Sequence, residues 1–155
     1  MAASNDKNAF TGTWVLDSKR SQSLDEVLKA QGVGLIKRKA IDNSKITQKL
    51  SVNADASELA LEFHSTFKTK TDTIKLDGSP AQDQNDDGEA VTRKAFWKEE
   101  NGEIHLVVDS ANEVKGNSIS VVRRVIEDGK TLEQNIIFKG KDGKELSAKR
   151  YFTKQ

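Results

Sequence analysis

Apolar and polar residues alternate with period two through most of this chain, and this alternation constrains the fold more than any other feature. It is typical of β-strands with one buried face. Asn101-Gly102, Asp128-Gly129 and Asp142-Gly143 separate successive segments, and each pair favours a tight hairpin turn. The sequence therefore predicts an antiparallel all-β meander. Its strands are expected at residues 10–17, 46–53, 59–67, 71–76, 89–97, 103–109, 118–127, 131–139 and 145–153.

Two short helices are predicted after the first strand. Ser23-Leu24-Asp25-Glu26 has the spacing of a capping box, in which the serine oxygen accepts an amide of the first turn and the glutamate reaches back. Gly32 is a stop signal for this helix. A second helix fits residues 35–41, so the sequence predicts a helix-turn-helix.

The composition is polar for a globular chain of 155 residues, with 35% hydrophobic residues and a mean hydropathy of −0.66. Disorder would also require a high net charge, whereas 25 Lys+Arg oppose 24 Asp+Glu. This balance indicates no general attraction to nucleic acid. The absence of cysteine excludes disulfides and thiolate metal sites, and no apolar run approaches the ~20 residues that span a bilayer.

A single domain is expected at this length, with residues 1–9 as a flexible leader and residues 10–155 as the domain. The first ten residues contain no apolar segment typical of a secretory signal. We therefore expect a cytoplasmic protein.

Inward-facing arginines are the first candidates for a binding site. Arg123 and Arg124 lie on opposite faces of one strand, and Arg150 shares a face with apolar residues of the last strand. If Arg124 and Arg150 face the same way, they lie two strands apart, ~10 Å. Two inward guanidinium groups require an anion or buried acceptors, and a carboxylate fits the planar fork of arginine. The alternative is that each arginine reaches water or pairs with a surface glutamate.

Other motifs indicate chemistry less specifically. The segment 83–88 matches the first half of an EF-hand loop, but Lys94 occupies the position of the bidentate glutamate. A solvated acidic turn is the preferred interpretation, and a calcium site is the alternative. His64 and His105 lack the spacing of a metal site. The sequence nominates no catalytic residue, no metal site and no cofactor.

The predicted helices are basic, since they carry Lys29, Lys37, Arg38 and Lys39. A solvated surface explains this charge. The alternative is transient contact with an anionic membrane.

Four segments together resemble one known family. Residues 10–14 are similar to its opening F-x-G-x-W, residues 24–39 to its helical lid, residues 65–68 to its S-T-F-K, and residues 123–130 to its K-R-K-x-E-D-G-K hairpin. Over about residues 10–154 the chain resembles the intracellular lipid-binding proteins, the fatty-acid-binding protein family of the calycin superfamily.

The resemblance implies an up-and-down barrel of about ten antiparallel strands around a wet cavity, with a helix-turn-helix lid. It also implies a monomeric, non-enzymatic carrier of fatty acids or similar amphiphiles. Arg124 and Arg150 match the two arginines that hold the ligand carboxylate, and Phe67 matches the phenylalanine at the portal. Phe152 replaces the tyrosine of the R-x-Y motif, and Gln134 is our candidate for the polar contact that is lost.

Two further expectations follow from this comparison. Residues 77–88 are longer and more polar than in the family, so the loss of one strand is expected there. A hollow barrel would explain the low apolar content, with Ser118, Ser120, Arg124 and Gln134 facing inward.

Two other classes of function stay open. One is a barrel isomerase or cyclase acting on a hydrophobic metabolite. The other is a barrel that binds haem or a bilin, and haem would need His64 or His105 to face inward.

Overall fold

A computed structural model of the chain describes residues 6–85 and 87–155. Within these residues the strands are β1 Gly12–Leu16, β2 Thr47–Val52, β3 Glu58–His64, β4 Thr69–Lys75, β5 Ala81–Gln84, β6 Ala90–Glu100, β7 Glu103–Asn112, β8 Asn117–Ile126, β9 Thr131–Lys139 and β10 Glu145–Lys154. They form one antiparallel sheet in the order β4-β3-β2-β1-β10-β9-β8-β7-β6-β5. The sheet curls into a barrel, which confirms the predicted fold class.

The pairing of β1 with β10 places the first and last strands side by side at the centre of the sheet, with Trp14 opposite Lys154. The two outermost strands, β4 and β5, have no ladder between them among the described residues. The barrel is therefore closed by side chains along this seam.

The lid consists of helices α1, Asp25–Ala30, and α2, Leu35–Asp42, between β1 and β2. The predicted capping box does not form. The Ser23 hydroxyl accepts from the Asp25 amide at 3.1 Å and donates to Asp42 at 2.7 Å, so it joins the start of α1 to the end of α2. Val27 of α1 packs on Phe138 and Ala148 inside the barrel. Neither helix is long and apolar enough to cross a bilayer.

The turns follow local chemistry. Asn101 and Gly102 both have positive φ, as a two-residue hairpin between β6 and β7 requires. The turn between β8 and β9 takes four residues, 127–130.

The strand predicted at 59–67 ends earlier, at His64, because the Ser65 hydroxyl accepts the amides of Phe67 and Lys68 in a turn. The expected loss of a strand within residues 77–88 is wrong, since β5 pairs there with β6.

The apolar core is a cluster distinct from the one that Val27 of the lid joins. Its wholly buried members include Phe10, Trp14, Leu59, Leu106 and Leu132. Phe10 ends a turn of 3-10 helix, Lys7–Phe10, and its carbonyl accepts the indole N–H of Trp14 at 3.0 Å. Residues 1–5 of the predicted leader lie outside the described residues, and the domain boundary at residue 10 stays a prediction.

Candidate functional site

Two adjoining cavities lie beside the apolar core, and α2 of the lid lines the first of them. The mouth cavity, ≈ 620 Å³, lies between Ala40 and Ile41 of α2 and Leu61 and Phe63 of β3. The inner cavity, ≈ 280 Å³, is lined by residues of β3 to β8. Leu61, Lys70 and Asp72 line both cavities.

Arg123 points into the inner cavity and is the most enclosed charge beside it. Its side chain is 6% exposed, and its Nε donates to the carbonyl oxygens of Gln48 and Gln134, both at 3.1 Å. Gln48 in turn donates to Gln134 at 2.7 Å. Burial lowers the pKa of Arg123 to about 10, so the side chain stays charged at neutral pH. Among the described residues no carboxylate pairs with it, and a buried cation without a counterion is unfavourable.

Arg124 faces outward, so its predicted inward orientation is wrong. Its guanidinium donates to Glu133 at 2.9 Å and to Glu103 at 3.1 Å. The hydrogen bond that Arg124 donates to Glu133 is the largest cause that raises the pKa of Arg124, and the charges of Glu133 and Glu103 add to it. The physical reason is the alternation of β8. Arg123 lies on the same face of β8 as the apolar residues Ile119 and Val121, which line the inner cavity. Arg124 lies on the opposite, outer face.

The expected inward orientation of Ser118 and Ser120 is wrong for the same reason, because both lie on the outer face with Arg124. That of Gln134 is confirmed by its bonds to Arg123 and Gln48.

Arg150 is buried as predicted, with 4% exposure, but the lid holds it. Its Nη1 donates to the Gln22 carbonyl at 3.0 Å and lies 3.7 Å from an Asp42 oxygen. Desolvation lowers the pKa of Arg150, and Asp42 opposes that shift. The strand register sets Arg123, Gln134 and Arg150 in one row across β8, β9 and β10.

A second charged cluster crosses the seam between β4 and β5. The Arg93 Nη1 of β6 donates to Asp83 at 2.6 Å and lies 3.7 Å from Asp72 on β4. Lys70 also lies 3.7 Å from Asp72. Asp83 is the first residue of the EF-hand-like segment, and its carboxylate is paired with Arg93. Asp86 of that segment lies outside the described residues, and residues 6–85 and 87–155 show no cluster of three metal-ligating side chains.

Both histidines lie on the outer face of the barrel. His64 bonds to Glu62, and His105 lies beside Glu103. Neither presents a ring nitrogen to the cavities, so the condition for the haem alternative is not met.

No protein-family model matches the chain. Fatty acid-binding protein homolog 6 of Caenorhabditis elegans is 35% identical over 127 residues, which cover 79% of this chain and 84% of that protein. The chain belongs to the fatty-acid-binding protein family. The predicted family resemblance is confirmed.

Solved structures of fatty-acid-binding proteins agree in fold. As-p18, an extracellular fatty acid binding protein, has a TM-score of 0.72 at 26% identity and covers 96% of this chain and 97% of its own. The fatty acid binding protein of Schistosoma mansoni, in complex with arachidonic acid, has a TM-score of 0.73 at 21% identity and covers 95% and 96%.

The remaining predicted site residues occupy different parts of this fatty-acid-binding protein. Phe67 is 61% exposed at the rim of the mouth cavity. Phe152 is buried in the apolar core opposite Leu132 and brings no hydroxyl to Arg150. The roles of Phe67, Phe152, Gln134 and Arg150 in ligand binding stay predictions.

Sequence reasoning missed Arg123 as the inward arginine, and it missed Gln48 altogether. Gln48 lies between Ile46 and Leu50 on the inward face of β2. A polar residue at an inward position of an alternating strand was the signal that could have found it.

Proposed function

We propose that this protein binds a long-chain fatty acid, or a similar amphiphile with one carboxylate, inside the barrel and carries it. The observation that carries this proposal is Arg123, a buried cation whose hydrogen-bond partners are two neutral glutamines. A ligand carboxylate supplies the missing counterion. Membership of the fatty-acid-binding protein family supports the same conclusion.

Each part of the ligand has a matching surface. The carboxylate pairs with Arg123, whose guanidinium Gln48 and Gln134 hold in place. The alkyl chain lies against apolar walls such as Leu61 and Phe63, and its burial contributes ~0.8 kcal/mol per CH₂. The lid and the exposed Phe67 move to admit it.

The neighbouring arginine provides a matched control for the test. Arg123→Met should weaken oleate binding by about 10- to 100-fold, because a charge-assisted hydrogen bond is lost. Arg124→Met changes the adjacent residue on the outer face and should leave oleate binding unchanged. Retinol, which has no carboxylate, should lose much less affinity in Arg123→Met. The proposal fails if no lipid binds at micromolar concentration, or if both variants bind oleate like the wild type.

We infer a carrier rather than an enzyme, because the charges beside the inner cavity offer no free acid and base. Asp72, Asp83 and Arg93 lie in ion pairs, and the amides of two glutamines hold Arg123. Mass spectrometry of the ligand before and after prolonged incubation tests this. Recovery of unchanged ligand supports a carrier, and a converted ligand supports the isomerase or cyclase.

We also propose that the protein is a cytoplasmic monomer whose lid touches anionic membranes. Ile36 is 87% exposed on α2 and precedes the basic residues Lys37 and Lys39 of the same helix, and Phe67 is exposed at the rim of the mouth cavity that Lys37 also lines. An apolar tip flanked by lysines suits a bilayer surface of negative charge. As-p18 is extracellular, so cell fractionation is the check on location. Sedimentation gives the oligomeric state.

A further inference from the structure

Asp72 lies where the mouth cavity and the inner cavity meet, since its side chain lines both. Its carboxylate faces Lys70 Nζ and Arg93 Nη1, each at 3.7 Å. Both separations are longer than a hydrogen bond of about 2.7–3.2 Å. The direct bond from Arg93 goes to Asp83 instead.

The cluster of Lys70, Asp72, Asp83 and Arg93 therefore has unused hydrogen-bonding capacity. No described residue donates a hydrogen bond to the Asp72 carboxylate. The Nε of Arg93 is buried and has no acceptor among the described residues. Buried polar groups are normally satisfied by protein, water or ligand. An oxygen atom of an occupant of the cavity would complete the cluster.

We propose that this cluster binds a hydroxyl group on the chain of the ligand, and that the preferred ligands are hydroxylated long-chain fatty acids. An oxygen lying off the line between Asp72 and Lys70 or Arg93 reaches both groups. A hydroxyl donates to Asp72 and accepts from a cation, so it satisfies both. The proposal rests on the proposed function, because Arg123 takes the carboxylate of the same ligand.

The charges of the cluster define what it rejects. Two cations balance two carboxylates, so a second ligand carboxylate would lie against Asp72 and Asp83 without a free counterion. A keto oxygen accepts only and cannot donate to Asp72. An unsubstituted chain displaces water from the cluster and offers no polar group in return. The expected order of affinity is hydroxy acid, then keto or unsubstituted acid, then dicarboxylic acid.

Binding of octadecanoic acid and a positional series of its monohydroxy isomers tests the proposal, together with the keto acid and octadecanedioic acid. In the wild type, at least one hydroxy isomer should bind about tenfold more tightly than octadecanoic acid. In Asp72→Leu this preference should fall below about twofold, while octadecanoic acid binds at least as well as before. Asp109→Leu, on the outer face of β7, is the control and should keep the preference.

A second variant protects the test against misfolding. Asp72→Asn keeps the size of the side chain and should reduce the preference without abolishing folding. The proposal is overturned if no hydroxy isomer is preferred by the wild type, or if the preference survives in Asp72→Leu. If octadecanoic acid binds and no isomer is preferred, the cluster holds water only and the carrier proposal stands. If no acid binds at all, the proposed function has failed as well.

Discussion

The carbonyl oxygen of Gln134 accepts the Nε–H of Arg123 at 3.1 Å across the β8–β9 pair. A glutamine at this position orients the guanidinium without neutralising it. A glutamate there would form an internal ion pair and would occupy the site of a ligand carboxylate. The anion affinity of the cavity therefore depends on an amide at residue 134.

In the variant Gln134→Glu, the new side chain should compete with the ligand carboxylate for Arg123. The variant places a carboxylate against Arg123 in nearly the same volume, so oleate affinity should fall at least about tenfold. The thermal midpoint should rise, because the buried cation gains a counterion. Calorimetric titration and thermal unfolding measure the two effects. Unchanged oleate binding in a folded variant would show that the carboxylate binds elsewhere.

The pH profile of binding should be flat around neutrality. Burial lowers the pKa of Arg123 to about 10, so the folded state holds this proton less tightly than the unfolded chain. The unfavourable burial of the charge is therefore fully present below that pH and is relieved only as pH rises above it. Fatty acid affinity should stay within about twofold between about pH 6 and 9, because Arg123 keeps its charge throughout that range. A fluorescence titration in which the affinity changes by more than about threefold within this range would contradict the prediction.

Asp42→Ala should loosen the lid. Asp42 accepts from the Ser23 hydroxyl at 2.7 Å and the Leu24 amide at 3.0 Å, and it faces Arg150. Loss of these contacts should lower the free energy of unfolding by about 1–3 kcal/mol and speed ligand release. Glu26→Ala, on the exposed side of α1, is the matched control for helix composition. Thermal unfolding and stopped-flow release are the measurements. A slower or unchanged release rate would show that the contacts of Asp42 do not limit ligand release.

Ile36→Glu should slow transfer of fatty acid to anionic vesicles by about tenfold, because one exposed apolar side chain no longer inserts. Val114→Glu is the control. Val114 is also almost fully exposed, at 89%, but lies in the β7–β8 turn, beside Ala30 of α1 rather than on α2. A fluorescent fatty acid reports the transfer. Equal effects of the two substitutions, or equal rates to neutral and anionic vesicles, would argue against lid docking.

Alternation in the chain was enough to predict the sheet, because each strand has one apolar face. The same alternation also predicts the correct inward face of β8. Arg123 shares its face with Ile119 and Val121, whereas the family motif pointed one residue further, to Arg124. For this strand the apolar face predicted the inward arginine better than the family motif did, because a shift of one position in a strand exchanges its two faces.

Long-range partners could not be predicted from the sequence. Asp42 captures Arg150 from the end of α2, and Arg93 links Asp83 to Asp72 across the seam. Such pairs depend on how distant segments meet in space rather than on local spacing.

β5 was missed for a different reason. It has four residues and a polar composition, so it carries almost no periodic signal.

The pairing of Trp14 with Lys154 has a consequence for how the chain folds. β1 finds one neighbour, β2, about thirty residues ahead, but its other neighbour is the last strand of the chain. Contacts of such long sequence separation carry a large loop-closure entropy, and proteins rich in them fold slowly. During synthesis the ribosome must therefore release the chain through residue 154 before the sheet can be joined at its centre. Until that moment one edge of β1 stays exposed, and a chaperone or a second nascent chain could pair with it.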